Sequence, residues 1–160
     1  MKNPPVVEKI HVRYQDLDPY GHVNNVAHMA YFESARIAYF RAIAKRLGLE
    51  PLEAGDIPGV RYVVAEATVR YRAPIYLEDA LFCGVSIRSV SRRSFVWDYE
   101  LRVGEDYASG RLVAEGSSAQ VFFDPERGEA IPRPEWFLAA IAELEDRPEE
   151  SFASPPKEDR

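Results

Sequence analysis

Two carboxylates, a histidine and two asparagines lie together in residues 14–36, between an apparent strand and the longest apparent helix. Asp16 and Asp18 precede a Pro-Tyr-Gly turn, and His22 and an Asn-Asn pair follow it. A helix N-terminus carries unpaired backbone N–H groups and the positive end of the helix dipole. Such amides can polarise a carbonyl while a neighbouring carboxylate acts as nucleophile or general base. The arrangement is therefore suited to acyl transfer, with Asp18 nearer the helix.

The same residues also have structural interpretations. Asp-x-Asp before a turn is the usual arrangement of an Asx turn or a helix cap. His22 alone favours a hydrogen bond within the loop. Glu33 falls on the apolar stripe of the predicted helix, where it is expected to bond the loop backbone or to pair with Arg36. Residue spacing by itself leaves these alternatives open.

Residues 16–25, DLDPYGHVNN, followed by YFESAR at residues 31–36, resemble the signature of hotdog-fold thioesterases related to 4-hydroxybenzoyl-CoA thioesterase. They are also similar to the Asp-Leu-Asp-x-x-x-His-Val-Asn-Asn motif of plant acyl-carrier-protein thioesterases. The resemblance is consistent with the chain as far as about residue 123. It implies a hotdog fold and an acyl-CoA thioesterase that releases a carboxylic acid and CoA.

The resemblance also implies roles for individual residues. In the 4-hydroxybenzoyl-CoA group the second Asp, followed by Pro and Gly, is the essential carboxylate, and Asp18 matches it. The amide that polarises the thioester carbonyl falls at about Asn25. His22 matches an assisting His of the plant group, but Tyr20 replaces that group's assisting Asn. Related bacterial sequences commonly have Tyr where His28 stands, so the pocket wall is expected to differ there. The residues expected to shape the substrate site are Tyr20, Gly21 and Asn24.

A strand at residues 10–15 and a helix at residues 26–47 are expected to position this site. Apolar residues alternate with polar ones along the strand, which is the period of two expected there. Asn24 or Asn25 is suited to cap the helix, and Gly48 is suited to end it. The predicted apolar face of the helix consists of Val26, Ala30, Ile37, Phe40, Ala44 and Leu47.

Four further strands are predicted, at residues 61–73, 81–87, 94–103 and 111–123. Strands that follow one long helix indicate an α+β fold, here a five-stranded antiparallel sheet wrapped around that helix. In the first of these strands, alternation places Val63 and Tyr71 on one face and Glu66 on the other. The second face mixes apolar and charged groups, which suits contact with another subunit or a ligand, although partial solvent exposure explains the charged groups equally well. Because one helix covers only one face of the sheet, we predict a homodimer or homotetramer. Glu66 is therefore a candidate to reach a neighbouring active site.

The 160 residues fit one domain. We predict a domain over residues 1–144, with its core at about residues 7–124 and a short C-terminal helix at about residues 134–144. Residues 145–160 are acidic, rich in proline and aperiodic, so they are expected to form a mobile tail.

Composition excludes several classes of protein. A net charge of −6 and a pI near 5.2 argue against nucleic-acid binding, which usually requires a basic surface. Cys83 is the single cysteine, so no intramolecular disulfide can form and a reducing compartment is expected. No apolar run approaches the length of a membrane span. These features predict a soluble cytoplasmic protein without a membrane partner.

The predicted hairpin at residues 88–93 carries Arg88, Arg92 and Arg93, which are candidates to bind the phosphates of CoA. A solvated turn is the alternative. His11, His22 and the remaining histidine do not make a convincing metal site. No phosphate loop or dinucleotide fingerprint is present, so no cofactor is expected, and CoA enters as part of the substrate.

Two other functions remain open at this level. A hotdog module could bind acyl-CoA or an acyl carrier protein without hydrolysing it. A hotdog hydratase or dehydratase is the second alternative, although such enzymes usually depend on a His placed differently, so the Asp-to-helix motif counts against them.

Overall fold

The computed structural model of the protein describes residues 1–49, 57 and 60–153. Residues 1–49 contribute one strand and one long helix, and a run of strands and a short helix follow. Single turns of 3-10 helix lie at Tyr14–Asp16 and Glu149–Phe152. In chain order the elements are β1 (Val6–Ile10), α1 (Asn25–Arg46), β2 (Tyr62–Tyr71), β3 (Leu81–Val90), β4 (Ser94–Val103), β5 (Arg111–Asp124), β6 (Glu129–Ala130) and α2 (Trp136–Glu145).

One antiparallel sheet has the strand order β1-β3-β4-β5-β2, and the two-residue β6 pairs with β5. The predicted α+β architecture is confirmed, with β6 as a sixth strand beyond the five expected. The predicted bounds of α1 and of β2 to β5 hold to within a few residues. Gly48 has φ 68° just past the end of α1, which is the left-handed conformation of a helix C-terminus.

Aromatic side chains join α1 to the middle of the sheet. Phe32 stacks on Tyr99 of β4 with ring centroids 4.3 Å apart. Tyr39 and Phe40 meet Trp97 edge to face, at 4.8 and 5.5 Å. Such pairs stabilise a core by about 0.5–1.5 kcal/mol each beyond the area that they bury. They fix which side of α1 faces the sheet.

The predicted buried face of α1 was partly wrong. Phe40 and Ala44 are buried as expected, but Val26 is 70% exposed and Glu33 is also exposed. Arg36 is buried in place of Glu33, and its guanidinium bonds a tyrosine hydroxyl of β4 at 3.2 Å. Apolar residues occur on more than one side of this helix, so its periodicity alone did not fix which side meets the sheet.

The first strand also begins and ends earlier in the chain than predicted. β1 ends at Ile10, and Tyr14–Asp16 forms a 3-10 turn instead of continuing the strand. The Asp16 carboxylate accepts hydrogen bonds from the backbone N–H of Arg13 at 2.9 Å and from its guanidinium at 2.7 Å. These bonds bend the chain, because a short acidic side chain competes with strand pairing for local backbone donors.

A bulge in β2 changes which residues share a face. Val64 pairs with Gln120 and Glu66 with Ala119, so one β2 residue between them has no partner. An extra residue reverses the alternation of a strand. Val63 consequently lies on the side of the sheet away from α1 and Tyr71 on the side toward it, so their predicted placement on one face was wrong. The far edge of β2 pairs with no strand of the described residues.

The C-terminal segment differs from the predicted mobile tail over its described part, residues 145–153. The side chain of Glu145 is 2% exposed and accepts hydrogen bonds from Tyr39 Oη at 2.8 Å and from Ile87 N at 2.6 Å. Phe152 is fully buried against the core. These contacts attach the segment to α1 and β3, which charge composition alone did not indicate. Residues 154–160 lie outside the described part of the chain.

Glu145→Ala is expected to lower the free energy of unfolding by about 3 kcal/mol, since it leaves buried donors without their acceptor. Denaturant unfolding at one fixed protein concentration measures this loss. Glu143→Ala is a matched control, because Glu143 is exposed and its ion pair with Arg46 at 3.2 Å is a surface pair. Its expected cost is about 0.5 kcal/mol. Equal losses in the two variants would contradict a structural role for Glu145.

In the described residues, no helix is both long and apolar enough to cross a membrane.

Candidate active site

The loop between β1 and α1 is fixed to the rest of the fold by backbone hydrogen bonds. Asn24 N donates to Asp16 O at 2.7 Å, and Leu17 and Val23 form an isolated bridge. Val23 N also donates to Ile75 O at 2.8 Å. The last bond joins the loop to the segment that follows β2. It therefore brings two distant parts of the chain to the N-terminus of α1.

The Asp18 carboxylate has one structural oxygen and one unengaged oxygen. Oδ1 accepts hydrogen bonds from the backbone N–H groups of Tyr20 at 2.9 Å and His22 at 3.2 Å, which is an Asx-type turn. Across the described residues, Oδ2 accepts no hydrogen bond. The turn thus holds the carboxylate in place and leaves Oδ2 for another partner.

Asp16 has a different environment from Asp18. It is 5% exposed, and its oxygens accept hydrogen bonds from Arg13 and from Tyr31 Oη. Burial acts to raise the pKa of Asp16, but the hydrogen bonds from Arg13 and Tyr31 outweigh it and hold that pKa below its usual range. Asp16 therefore stabilises the loop as an ionised, fully occupied acceptor.

At the N-terminus of α1, the backbone N–H of Asn25 has no partner in the part of the chain that the structure describes. Asn24 is the N-cap, with its Oδ1 accepting from Val26 N at 2.9 Å and its carbonyl accepting from Ala27 N at 3.1 Å. Asn25 is the first helical residue, and its N–H donates to no acceptor among the described residues. A free N–H at a helix start is a ready donor to an anion or a polarised carbonyl oxygen.

A cavity of about 490 Å³ lies between these groups and the end of β2. Its loop and helix side is formed by residues that include Asp18, His22, Asn24 and Asn25, and its other side by residues 71–75. Four of the predicted site residues are therefore brought together at one opening. What they offer chemically is a carboxylate oxygen and a backbone N–H, and neither forms a hydrogen bond within the described residues.

The sequence analysis placed His28 in the pocket wall without giving it a role, and it missed Arg72 as a cavity residue. His28 is 4% exposed, its Nδ1 lies 3.0 Å from Asn24 O, and its ring meets Tyr71 edge to face at 4.8 Å. Burial lowers the pKa of His28, which favours the neutral imidazole. Its position one helical turn after Asn25 was the available signal. The sequence held no such signal for Arg72, because only the fold brings the end of β2 to this helix.

His22 is placed mainly by its backbone and by an aromatic contact. Its N–H donates to Asp18 Oδ1, and its carbonyl accepts from Asp18 N at 2.8 Å. Its ring meets Tyr76 at 5.1 Å in a T-shaped arrangement. The backbone of His22 therefore holds Asp18 through two hydrogen bonds, and its ring forms part of the cavity wall.

Two predicted substrate-site residues of the loop do not line the cavity. Tyr20 is 85% exposed. Gly21 has φ 79° and donates its N–H to Asp18 O at 3.0 Å, closing the turn. A residue with a Cβ is strained in that conformation, so Gly21 contributes to the shape of the loop.

The remaining predicted site residues lie elsewhere on the chain. Glu66 is exposed on the side of β2 away from α1. Arg88 lies in β3 rather than in the hairpin turn, and its guanidinium pairs with Asp98, with Nε 3.0 Å from Oδ2. Arg92 and Arg93 are exposed in the β3–β4 turn. In the single chain that the structure describes, none of these four side chains lines the cavity.

Over the part of the chain that the structure describes, no three His, Cys, Asp or Glu side chains are grouped closely enough to hold a metal ion.

Several proteins are similar to this one. A thioesterase from Thermus thermophilus, solved in complex with coenzyme A and Zn, is 34% identical with a TM-score of 0.76, and covers 92% of this chain and 99% of its own. A putative thioesterase from Pseudomonas aeruginosa is 27% identical with a TM-score of 0.71, covering 88% of this chain and all of its own. These likenesses confirm the predicted hotdog fold.

A curated relative, the uncharacterized protein YsmA of Bacillus subtilis, is 46% identical over 35 residues, which are 22% of this chain. The match spans about a quarter of that relative, 24% of its length. A much longer match, over residues 12–141, is to the family model described as the thioesterase-like superfamily. Because this match extends over most of the chain, the protein belongs to the thioesterase-like superfamily.

Proposed function

We propose that the protein hydrolyses an acyl-CoA thioester to a carboxylic acid and CoA in the cavity at the start of α1. The observation that carries this proposal is the pairing of Asp18 and the free N–H of Asn25 at one opening. Membership of the thioesterase-like superfamily supports the reaction type. The complex of the Thermus thermophilus thioesterase with coenzyme A supports CoA as the thiol.

In this mechanism the thioester carbonyl oxygen accepts a hydrogen bond from Asn25 N–H, which stabilises the negative charge that develops on it. Asp18 Oδ2 then acts in one of two ways. As general base it takes a proton from the attacking water. As nucleophile it forms a mixed anhydride, expels the CoA thiolate, and is released when water hydrolyses the anhydride. Both routes require the same oxygen and the same amide.

We further propose that two copies pair through the edge of β2 that pairs with no strand of the described residues. Val63, Val64 and Tyr71 on this strand are 43, 49 and 51% exposed, which is unusual for large apolar residues of an edge strand. Pairing of two β2 strands about a twofold axis would extend the sheet across this edge and cover these side chains. Glu66, near the middle of the strand, would then lie beside the partner. A homotetramer would need a second interface.

The same pairing gives the hairpin arginines a role. β2 starts at Tyr62 beside Phe122, close to the hairpin, whereas the cavity lies at Tyr71, about 30 Å away along the strand. Antiparallel pairing places the start of one β2 beside the end of the other. Arg92 and Arg93 of one subunit could therefore bind CoA phosphates at the cavity of its partner. Arg88, paired with Asp98, is the weaker candidate.

Val64→Glu is expected to convert the dimer to monomer and to lower thioesterase activity at least about 10-fold, because it places a charge at the covered edge. Val7→Glu is the matched control, since Val7 is 41% exposed on β1 at the opposite edge of the sheet. Size-exclusion chromatography with light scattering measures the mass. A Val64→Glu protein of unchanged mass would contradict pairing through β2.

Thiol release from short, medium, long and aromatic acyl-CoAs, with the free acid quantified in parallel, tests the proposed function. Equal amounts of thiol and acid from at least one substrate are expected. Tight binding of acyl-CoA without thiol release, from CoA and carrier-protein thioesters alike, would favour the binding module instead. A change in enone absorbance with an enoyl-CoA would favour a hydratase. We place the reaction in the cytoplasm because the one cysteine predicts a reducing compartment.

A further inference from the structure

His28 is a buried side chain with one nitrogen committed to the fold and one available. Nδ1 lies 3.0 Å from the carbonyl oxygen of Asn24, which makes Nδ1 the protonated nitrogen and leaves a lone pair on Nε2. Within the described residues Nε2 has no hydrogen-bond partner, and it is not fully enclosed by protein atoms. Since His28 lines the cavity, Nε2 is an acceptor that remains accessible from it.

The neighbours of His28 keep it in this state. Tyr71 meets the ring edge to face at 4.8 Å, and its hydroxyl donates to Asn25 O at 3.3 Å rather than to the imidazole. Tyr31 lies at 6.2 Å from the ring and donates to Asp16. No carboxylate of the described residues forms an ion pair with His28. The ring is therefore held as a neutral acceptor with a fixed tautomer.

A water molecule that hydrolyses a thioester needs two acceptors to fix its orientation, because a buried water usually makes two to four hydrogen bonds. Asp18 supplies only Oδ2, since Oδ1 is occupied by the backbone N–H groups of the turn. His28 Nε2 is a second acceptor on the same cavity. The third group on that cavity, the N–H of Asn25, is a donor and suits the carbonyl oxygen instead.

We propose that His28 is a second catalytic residue, whose Nε2 holds the hydrolytic water against Asp18; this rests on the proposed function and selects its general-base route. The water donates one O–H to Nε2 and the other to Asp18 Oδ2. On attack its oxygen forms the C–O bond, a proton passes to Oδ2, and the carbonyl electron pair moves to the oxygen held by Asn25 N–H. Collapse breaks the C–S bond, the sulfur keeps the electron pair, and it receives the proton from Oδ2.

Three variants test this role by steady-state thiol release. His28→Phe keeps a ring but removes the acceptor. It is expected to lower kcat by about 10²-fold and to change KM less than about threefold, because a displaced water slows the reaction without weakening substrate binding. His28→Gln restores an acceptor oxygen and is expected to recover about 10-fold of that loss. The double variant Asp18→Asn/His28→Phe is expected to be no slower than Asp18→Asn alone, since both groups hold one water.

Denaturant unfolding and the Kd for CoA are measured on each variant, so that misfolding is separated from a catalytic defect. A His28→Phe protein within about threefold of wild-type kcat would overturn the role of His28 and leave the proposed function standing. Equal losses in His28→Phe and His28→Gln, or additive losses in the double variant, would also overturn it. Absence of thiol release from the wild-type protein would overturn both proposals.

Discussion

Asp18→Asn is expected to lower kcat for thioester hydrolysis by about 10²–10⁴-fold, the usual contribution of a general base or nucleophile. The amide keeps an oxygen in the position of Oδ1, so the hydrogen bonds from the N–H groups of Tyr20 and His22 can be retained. It cannot accept a proton or attack a carbonyl at neutral pH. The substitution therefore separates the structural oxygen of Asp18 from the reactive one. Steady-state thiol release with the preferred acyl-CoA measures the effect.

Asp106→Asn is the matched control for Asp18→Asn. Asp106 also accepts hydrogen bonds in a turn, with its Oδ1 2.8 Å from Ser109 N, but this turn joins β4 to β5 and does not line the cavity. Its activity is expected to equal that of the wild-type protein. Turnover by Asp18→Asn within a fewfold of wild type would show that Asp18 is only a turn residue.

Asn25→Pro is expected to lower kcat by about 10²–10³-fold, the cost of removing one oxyanion donor. Proline lacks the N–H that we assign to the carbonyl oxygen, and it is favoured at the first position of a helix. The preceding residue, Asn24, has φ −59° and ψ 144°, in the region that a residue before proline prefers. This N–H has no acceptor in the described residues, so the variant is expected to fold normally.

Asn25→Ala is the control, because it removes the side chain and keeps the backbone N–H. It is expected to retain most of the wild-type activity, whereas Asn25→Pro loses it. Wild-type activity in both variants, with unchanged unfolding midpoints, would refute the assignment of this amide as the oxyanion donor. Equal loss in both would instead assign the effect to the side chain.

The sequence predicted which residues of the candidate site are neighbours along the chain. Asp18, the turn and Asn25 are close in the chain, and hydrogen bonds within the turn and at the helix cap fix their relation. The strands from β3 to β5 were also predicted, because alternation along a half-buried strand reflects a physical constraint at every position.

The unpredicted features depend on contacts between distant residues. Residues 71–75 reach the cavity through the bond from Val23 N to Ile75 O, which no local pattern encodes. The bulge in β2 reversed which face of the sheet the later residues of the strand occupy. One residue without a cross-strand partner changes the alternation, and the amino-acid composition does not reveal it. Glu145 is polar, and its burial became apparent only with its partners on α1 and β3.

The central claim is that the start of α1 is the site of thioester hydrolysis. The measurement that tests it most directly is thiol release from the preferred acyl-CoA by the wild-type protein, Asp18→Asn and Asn25→Pro, compared at equal concentration of folded protein. We predict release by the wild-type protein and losses of at least about 10²-fold in both variants. Release by both variants at the wild-type rate would contradict the claim and place the reaction elsewhere on the molecule.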